Sequence, residues 1–178
     1  MILNFLKTAA NLKKTSRQGW IDKLSIDNPE SVADHSYSMA IMGMVISDLQ
    51  NYDSEKIIKM ILLHDLAESK IGDITPEQLS EEKKNKLENN AFDEIIKDLP
   101  NLIKLQYLQI WQEYQENNSL ESKIVHQIDK LEMALQAKIY EKDGYSKDKL
   151  DSFFESARID ITDTKLKELF TKIIKDKQ

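Results

Sequence analysis

The sequence carries few breakers of regular structure: 4 glycines and 3 prolines are all that punctuate 178 residues. Nowhere do β-branched residues alternate with polar ones over the length of a strand, so the pattern that builds a sheet is missing. What remains is helical periodicity, and it predicts an all-α fold. The length matches one compact domain, for which roughly 150 residues is the usual scale. No internal repeat or linker divides the chain, and residues 1–178 read as a single-domain helical bundle.

Local signals place the elements. A first amphipathic helix is expected over 2–13, followed over 13–31 by a long irregular connection of the kind that is often functional. The second helix, 32–49, is apolar on most sides, which predicts a place in the middle of the bundle, with Gly43 letting a neighbour approach closely. Asp53 or Ser54 can cap the third, "EKIIKMILLHDLAE", in which Ile57, Ile61 and His64 share one stripe and Ile58, Leu62 and Asp65 the next. Thr75, Pro76 and Gln78 have the makings of an N-cap, an N1 proline and the far end of a capping box, so another helix is expected to start at Pro76. Later helices are expected over 101–115, 120–141, 147–158 and 163–175, with Gly144 separating two of them.

Charge narrows the partners. With 25 Lys+Arg against 31 Asp+Glu the net charge is -6, which repels a nucleic-acid polymer but leaves a small phosphorylated molecule open. The absence of cysteine removes disulfides, thiol nucleophiles and thiolate ligands together, so any metal must sit among nitrogen and oxygen donors. "MAIMGMVI" is the longest apolar run and falls far short of the roughly 18 residues of a membrane span. "MILNFLKTAANLKK" is too interrupted for a signal segment, and the expectation is a cytoplasmic protein with no membrane partner. The mixed charges of "LSEEKKNKLENN" read as a solvated helix face.

Two of the three histidines, His35 and His64, lie in strongly apolar helices. A single histidine in such a place is ordinarily a hydrogen-bonded core residue. Here His64 is followed at once by Asp65, and burying a carboxylate beside an imidazole is expensive without a compensating cation. A divalent metal supplies one. Asp129, at the border of an apolar face in "IVHQIDKLEMAL", completes a set of His35, His64, Asp65 and Asp129. Two imidazoles and two carboxylates suit Mn, Co, Ni, Fe(II) or Zn better than Ca, which favours an all-oxygen shell. His126 has no place in this set and reads as structural or exposed.

"ADHSYSMA", "LLHDLAESKIGDITP" and "IDKLEMALQA" resemble the HD-domain metal-dependent phosphohydrolases, and within them the 5'-deoxynucleotidases, which release phosphate from deoxyribonucleoside 5'-monophosphates. "SRQGWI", "PESVADH" and "LDSFFES" extend the resemblance from Thr8 to about Ser156. It implies one divalent metal on His35, His64, Asp65 and Asp129, a catalytic carboxylate at Glu68, and a second acidic residue, Asp73, near the reacting centre and the sugar. It further implies that Arg17 and Trp20 belong to the nucleotide pocket, and that the protein is a homodimer resting on exposed halves of the later helices. Arg17 and Trp20 are separated here by "QG", whereas some relatives have the two adjacent.

The residues support the same roles on physical grounds. Glu68 follows His64 by four positions and Asp65 by three, so one further helical turn puts it on the metal's side as general acid or base. Arg17 offers a planar fork for phosphate oxygens. Trp20 can stack on a base or fill the core, and Asp73 can receive a sugar hydroxyl or cap a helix near Thr75. Two other functions compete: a broader HD phosphohydrolase acting on other nucleotides or phosphomonoesters, and a non-catalytic binding protein stapled by the metal.

Overall fold

A computed structural model describes residues 2–176. The described residues form helices α1 (Ile2–Ala10), α2 (Gln18–Leu24), α3 (Val32–Gln50), α4 (Ser54–His64), α5 (Glu68–Ile71) and α6 (Glu81–Ile96), then α7 (Asn101–Glu116), α8 (Leu120–Lys142), α9 (Lys147–Asp160) and α10 (Thr164–Lys175), with a 3-10 turn at Asn11–Lys14. Among them there is no strand, only an isolated antiparallel bridge between Ser16 and Ser31. The all-α expectation is met. No helix among the described residues is long and apolar enough to cross a membrane.

Caps explain most of the boundaries. The Asp53 side chain accepts from the Lys56 N–H to open α4, and Ser31 with Asp34, and Ser119 with Ser122, close reciprocal capping boxes on α3 and α8. Asp163 accepts from the N–H groups of Lys165 and Leu166 to open α10. Asn51, at φ 57°, ends α3 in the left-handed region, as Gly144, at φ 98°, does for the turn between α8 and α9.

Four expectations are corrected. The connection over 13–31 is not wholly irregular, because α2 lies inside it: Trp20 and Leu24, one turn apart, both bury, and Ser25 at φ 57° stops the helix. The third helix does not run through Glu68. The Ile61 carbonyl receives the ring nitrogen Nδ1 of His64 at 2.5 Å, so the Asp65 N–H turns to the Leu63 carbonyl and the α-helical ladder ends. Tighter i to i+3 bonds follow, Leu66 N–H to Leu63 at 3.1 Å and Glu68 N–H to Asp65 at 3.0 Å.

No helix starts at Pro76. The Gln78 side chain does reach back to the Thr75 N–H at 3.2 Å, but only one turn forms, and α6 begins at Glu81. Finally, α3 is not central. Gly43, Met39 and Ile46 face inward, while Tyr37, Ile41, Met44, Val45 and Leu49 form an exposed apolar stripe, with Tyr37 70% and Leu49 80% accessible.

The core has two clusters, and α4 separates them. Ile57, Met60 and Ile61 join residues of α3, α8, α9 and α10, whereas Leu63 joins Phe92, Ile96 and Trp111 of α6 and α7. A Cβ at Gly43 would run into Ile61 Cδ1 and stand 3.1 Å from Ile57 Cγ2, so the expected close approach is that of α4. The last residue of α4 is His64. The polar cluster therefore sits where α4 emerges between the two clusters, facing α3 and α8.

Candidate metal centre

Each proposed ligand reaches the centre from a different place. His35 is in the first turns of α3, His64 and Asp65 are at the end of α4, and Asp129 is on α8 beside the core residue Ile128. His35 Nε2 lies 3.2 Å from Asp129 Oδ1 and 3.9 Å from Asp65 Oδ2, and His64 Nε2 lies 3.1 Å from Asp65 Oδ2. Ligand atoms of His35, His64 and Asp129 all fall within 4.8 Å of one another. The four side chains converge.

The donor set fits a divalent ion. His35 Nδ1 is engaged by Glu132 Oε2 at 2.6 Å and His64 Nδ1 by the Ile61 carbonyl at 2.5 Å, which leaves both Nε2 atoms aimed at the centre. Both Nε2 atoms are buried, and neither makes a hydrogen bond within the protein despite the nearby carboxylates. Orphaned buried nitrogens are costly, and coordination to a cation is the chemistry that satisfies both at once. The neighbouring cation Arg17 helps hold the Asp65 carboxyl far below the usual carboxylate range against the opposing effect of burial, with His64 contributing more. Asp129 is likewise held down despite burial, by Lys130 and His35. Both carboxylates are therefore ionised.

Glu68 is buried against this centre, and its Oε2 has no hydrogen-bond partner in the protein. Burial first, then Asp65 and Asp73, push its carboxyl well above the ordinary value. Arg17 stands just before α2, where its N–H donates to the Glu30 carbonyl at 3.1 Å and its Nη1 approaches Asp65 Oδ2 at 3.5 Å. Burial disfavours its charge, yet Asp65, Asp73, Asp129 and Glu68 together hold it firmly protonated.

Asp73 does cap a helix, but not the one expected near Thr75: its Oδ2 accepts the Gln18 N–H at 2.8 Å and fixes the start of α2. Trp20 is 2% exposed and packs against Phe153 and Tyr140 at ring distances of 4.1 and 5.1 Å, so most of its ring is core. An edge of it still lines a cavity of about 280 Å³ that also contains Arg17, Asp65, Glu68 and Asp129. A larger groove of about 760 Å³ between α8 and α10 contains none of these residues. His126 stacks on Tyr114 at 4.1 Å and bonds its carbonyl at 3.0 Å, a structural role.

Sequence reasoning missed Lys84 and Glu132. Lys84 comes from the segment read as a solvated face, yet it lines the cavity, paired at 3.5 Å with the buried Glu88. Burial opposes its charge, but Glu88, Glu68, Asp65 and Asp73 sustain it. Nothing in the local sequence marks Lys84, because only the packing of α6 beside α5 brings it there. Glu132 carried a usable signal: it is a carboxylate three positions beyond Asp129, between Leu131 and Met133.

A family model described as HD domain matches residues 9–170. The 5'-deoxynucleotidase HDDC2 of Dictyostelium discoideum is 42% identical over 167 residues, covering 88% of this chain and 87% of that one. The human protein of the same name is 36% identical over 156 residues, covering 87% of this chain and 76% of its own. Among solved structures, the PH0347 protein from Pyrococcus horikoshii OT3 matches with a TM-score of 0.78 and 32% identity over 97% of this chain and 98% of that one. The matched span takes in His35, the His64–Asp65 pair and Asp129 together with the helices that carry them, and the chain belongs to the HD domain family.

Proposed function

We propose that this protein is a metal-dependent phosphomonoesterase that hydrolyses nucleoside 5'-monophosphates, deoxyribonucleotides among them, to nucleoside and phosphate. The observation that carries the reading is a pair of buried, unpartnered imidazole nitrogens facing two ionised carboxylates, beside a buried carboxyl whose own oxygen is unpartnered. A structural metal staple would be a closed site with no need of Glu68 or Arg17 in an adjoining cavity. The relatives named 5'-deoxynucleotidase, 36–42% identical over most of the chain, support the substrate class.

His35, His64, Asp65 and Asp129 hold one divalent ion, and the nitrogen and oxygen donors suit Mn, Co, Ni, Fe(II) or Zn. When bound, such an ion neutralises charge on phosphoryl oxygens and lowers the pKa of a water. The protein's own residues do the rest. Arg17 presents its guanidinium fork to the phosphate, and Lys84 adds a second positive charge to the same cavity. Glu68, whose burial favours its protonated form, donates a proton to the 5' oxygen as the P–O bond to the sugar breaks; water forms the new bond to phosphorus, and the proton it loses returns to the Glu68 carboxylate. Asp73 seats the α2 turn that carries Arg17, with its remaining oxygen available to a sugar hydroxyl. Trp20 forms the wall behind that turn.

The reading takes the protein to act in the cytoplasm. It also takes the protein as a homodimer. The later helices expose isolated apolar residues such as Ile159 and Leu169, so the support for a dimer comes instead from the continuous stripe on α3. The functional test is phosphate release from dAMP, dTMP, AMP and a generic phosphomonoester by chelator-treated protein. Release from the nucleotides on adding Mn or Co, and none without metal, is the expected result. Silence across the panel with metal fully bound would refute the assignment and favour the staple.

A further inference from the structure

Asp129 and Glu132 lie three positions apart on α8 and flank the two ring nitrogens of His35: Glu132 Oε2 bonds Nδ1 at 2.6 Å, while Asp129 Oδ1 stands 3.2 Å from the unbonded Nε2. Glu132 is 2% exposed. Among the described residues it pairs with His35. A carboxylate buried so deeply is costly unless its partner compensates, and an apolar residue would fill the same space without that cost. The expense makes sense if the hydrogen bond itself is what the site requires. A ligating histidine that donates its distal N–H to a carboxylate is fixed in tautomer and orientation and becomes a stronger donor. His64 is held instead by the neutral Ile61 carbonyl, so only His35 has an anionic outer partner.

A second carboxylate extends the contact. Ligand atoms of Glu30, His35 and Glu132 lie within 4.8 Å of one another. Glu30 Oε1 accepts the Trp20 indole N–H at 2.8 Å, the Glu30 carbonyl accepts the Arg17 N–H at 3.1 Å, and the Glu30 N–H donates to the Tyr140 hydroxyl at 3.0 Å. These three residues could in principle hold an ion themselves. The short bond on His35 Nδ1 and the indole on Glu30 already occupy the atoms that would do so.

We propose that Glu132 is the positioning residue for the metal ligand His35, and that Glu30 ties this pair to the arm carrying Arg17 and Trp20. The inference rests on the metal centre assigned above. Seating of the substrate arm and loading of the metal are then linked through one buried carboxylate pair.

The test is titration of chelator-stripped protein with Co(II) in competition with a chelating indicator, read alongside the visible Co(II) spectrum and thermal unfolding of the metal-free protein. Wild type should bind one ion per chain. Glu132→Gln keeps the size of the side chain but loses its charge, and should weaken Co(II) binding about 10- to 100-fold and alter the spectrum, with metal-free unfolding close to wild type. Glu132→Asp should recover part of the affinity. Trp20→Phe retains a ring in the core but removes the N–H from Glu30, and should weaken binding severalfold.

A wild type that binds no ion overturns the metal centre and this proposal with it. A wild type that binds one ion, with Glu132→Gln unchanged in affinity and spectrum, overturns the role of Glu132 while leaving the centre intact. If Glu132→Gln does not fold, Glu132→Asp decides the matter, and unchanged affinity there refutes the role. Unchanged affinity in Trp20→Phe refutes the link through Glu30.

Discussion

At the scale of single residues, the proposed mechanism divides groups that would hold the metal from a group that would move a proton. Asp65→Ala removes an ionised ligand and should abolish both metal retention and turnover. Glu68→Ala should keep the metal and lower the rate by about 10²- to 10⁴-fold, the usual contribution of a general acid. Metal content and phosphate release, measured on the same samples, check both; a Glu68→Ala protein with normal turnover would remove Glu68 from the mechanism. His35 adds a pH signature. Burial and Arg17 oppose its charge, but Asp129 and Glu132 on its two nitrogens outweigh them and raise it from 6.5 to about 9 in the metal-free protein. Because the folded value is raised, the stability this charge lends the metal-free protein is fully present below about pH 6.5 and is lost as pH rises through about 9. An incoming cation must displace that proton, so apparent metal affinity should rise about tenfold per pH unit between pH 6 and 8. A flat affinity across that range, in the same indicator titration, would contradict the arrangement. The four converging side chains were legible in the sequence because an imidazole and carboxylates on apolar helix faces have few inexpensive explanations. Glu132 was passed over because a carboxylate there is also compatible with an ordinary surface pair until its burial is seen.

At the scale of elements, α3 and α4 pack so closely at Gly43 that the missing side chain is a requirement of the contact. Alanine would gain up to about 1 kcal/mol in helix propensity. Overpacking against the fully buried Ile57 and Ile61 should cost more, about 1–3 kcal/mol. Gly43→Ala is therefore expected to be destabilised by about 1 kcal/mol in denaturant unfolding, and a gain in stability would show that α4 yields at this point. Most helices were legible from apolar periodicity and capping residues, the later four to within two residues of their observed ends. The misjudged elements are those decided by long-range contacts. The helix α2 depends on Asp73, 55 positions away, for an N-terminal hydrogen bond. The end of α4 is set by a histidine ring competing for a backbone carbonyl, and the turn at Pro76 fails to propagate although its capping residues are present. These three exceptions all border the candidate site.

At the scale of the whole molecule, we propose that the chain unfolds as one domain, since α4 contributes side chains to both apolar clusters and Ile110 packs against each. The α3 stripe predicts association: the native mass in sedimentation should be about twice the 20.7 kDa of the chain. Placing a charge at the centre of the stripe, Val45→Glu, should yield monomers without loss of helix content; a wild-type monomer, or a variant that still dimerises fully, would show that another face or none is used. The stripe was not legible as a surface, because an apolar helix reads the same whether a neighbour covers it within the chain or from outside. Above all, the fold brings side chains from α3, α4 and α8 to one point, and the most direct test of that convergence is anomalous diffraction from crystals loaded with Mn(II). A single strong peak bonded to His35 Nε2, His64 Nε2 and the carboxylates of Asp65 and Asp129 is the expected result. Loaded crystals with no density among those four side chains, or with the ion held elsewhere, would contradict the metal centre and the hydrolase built on it.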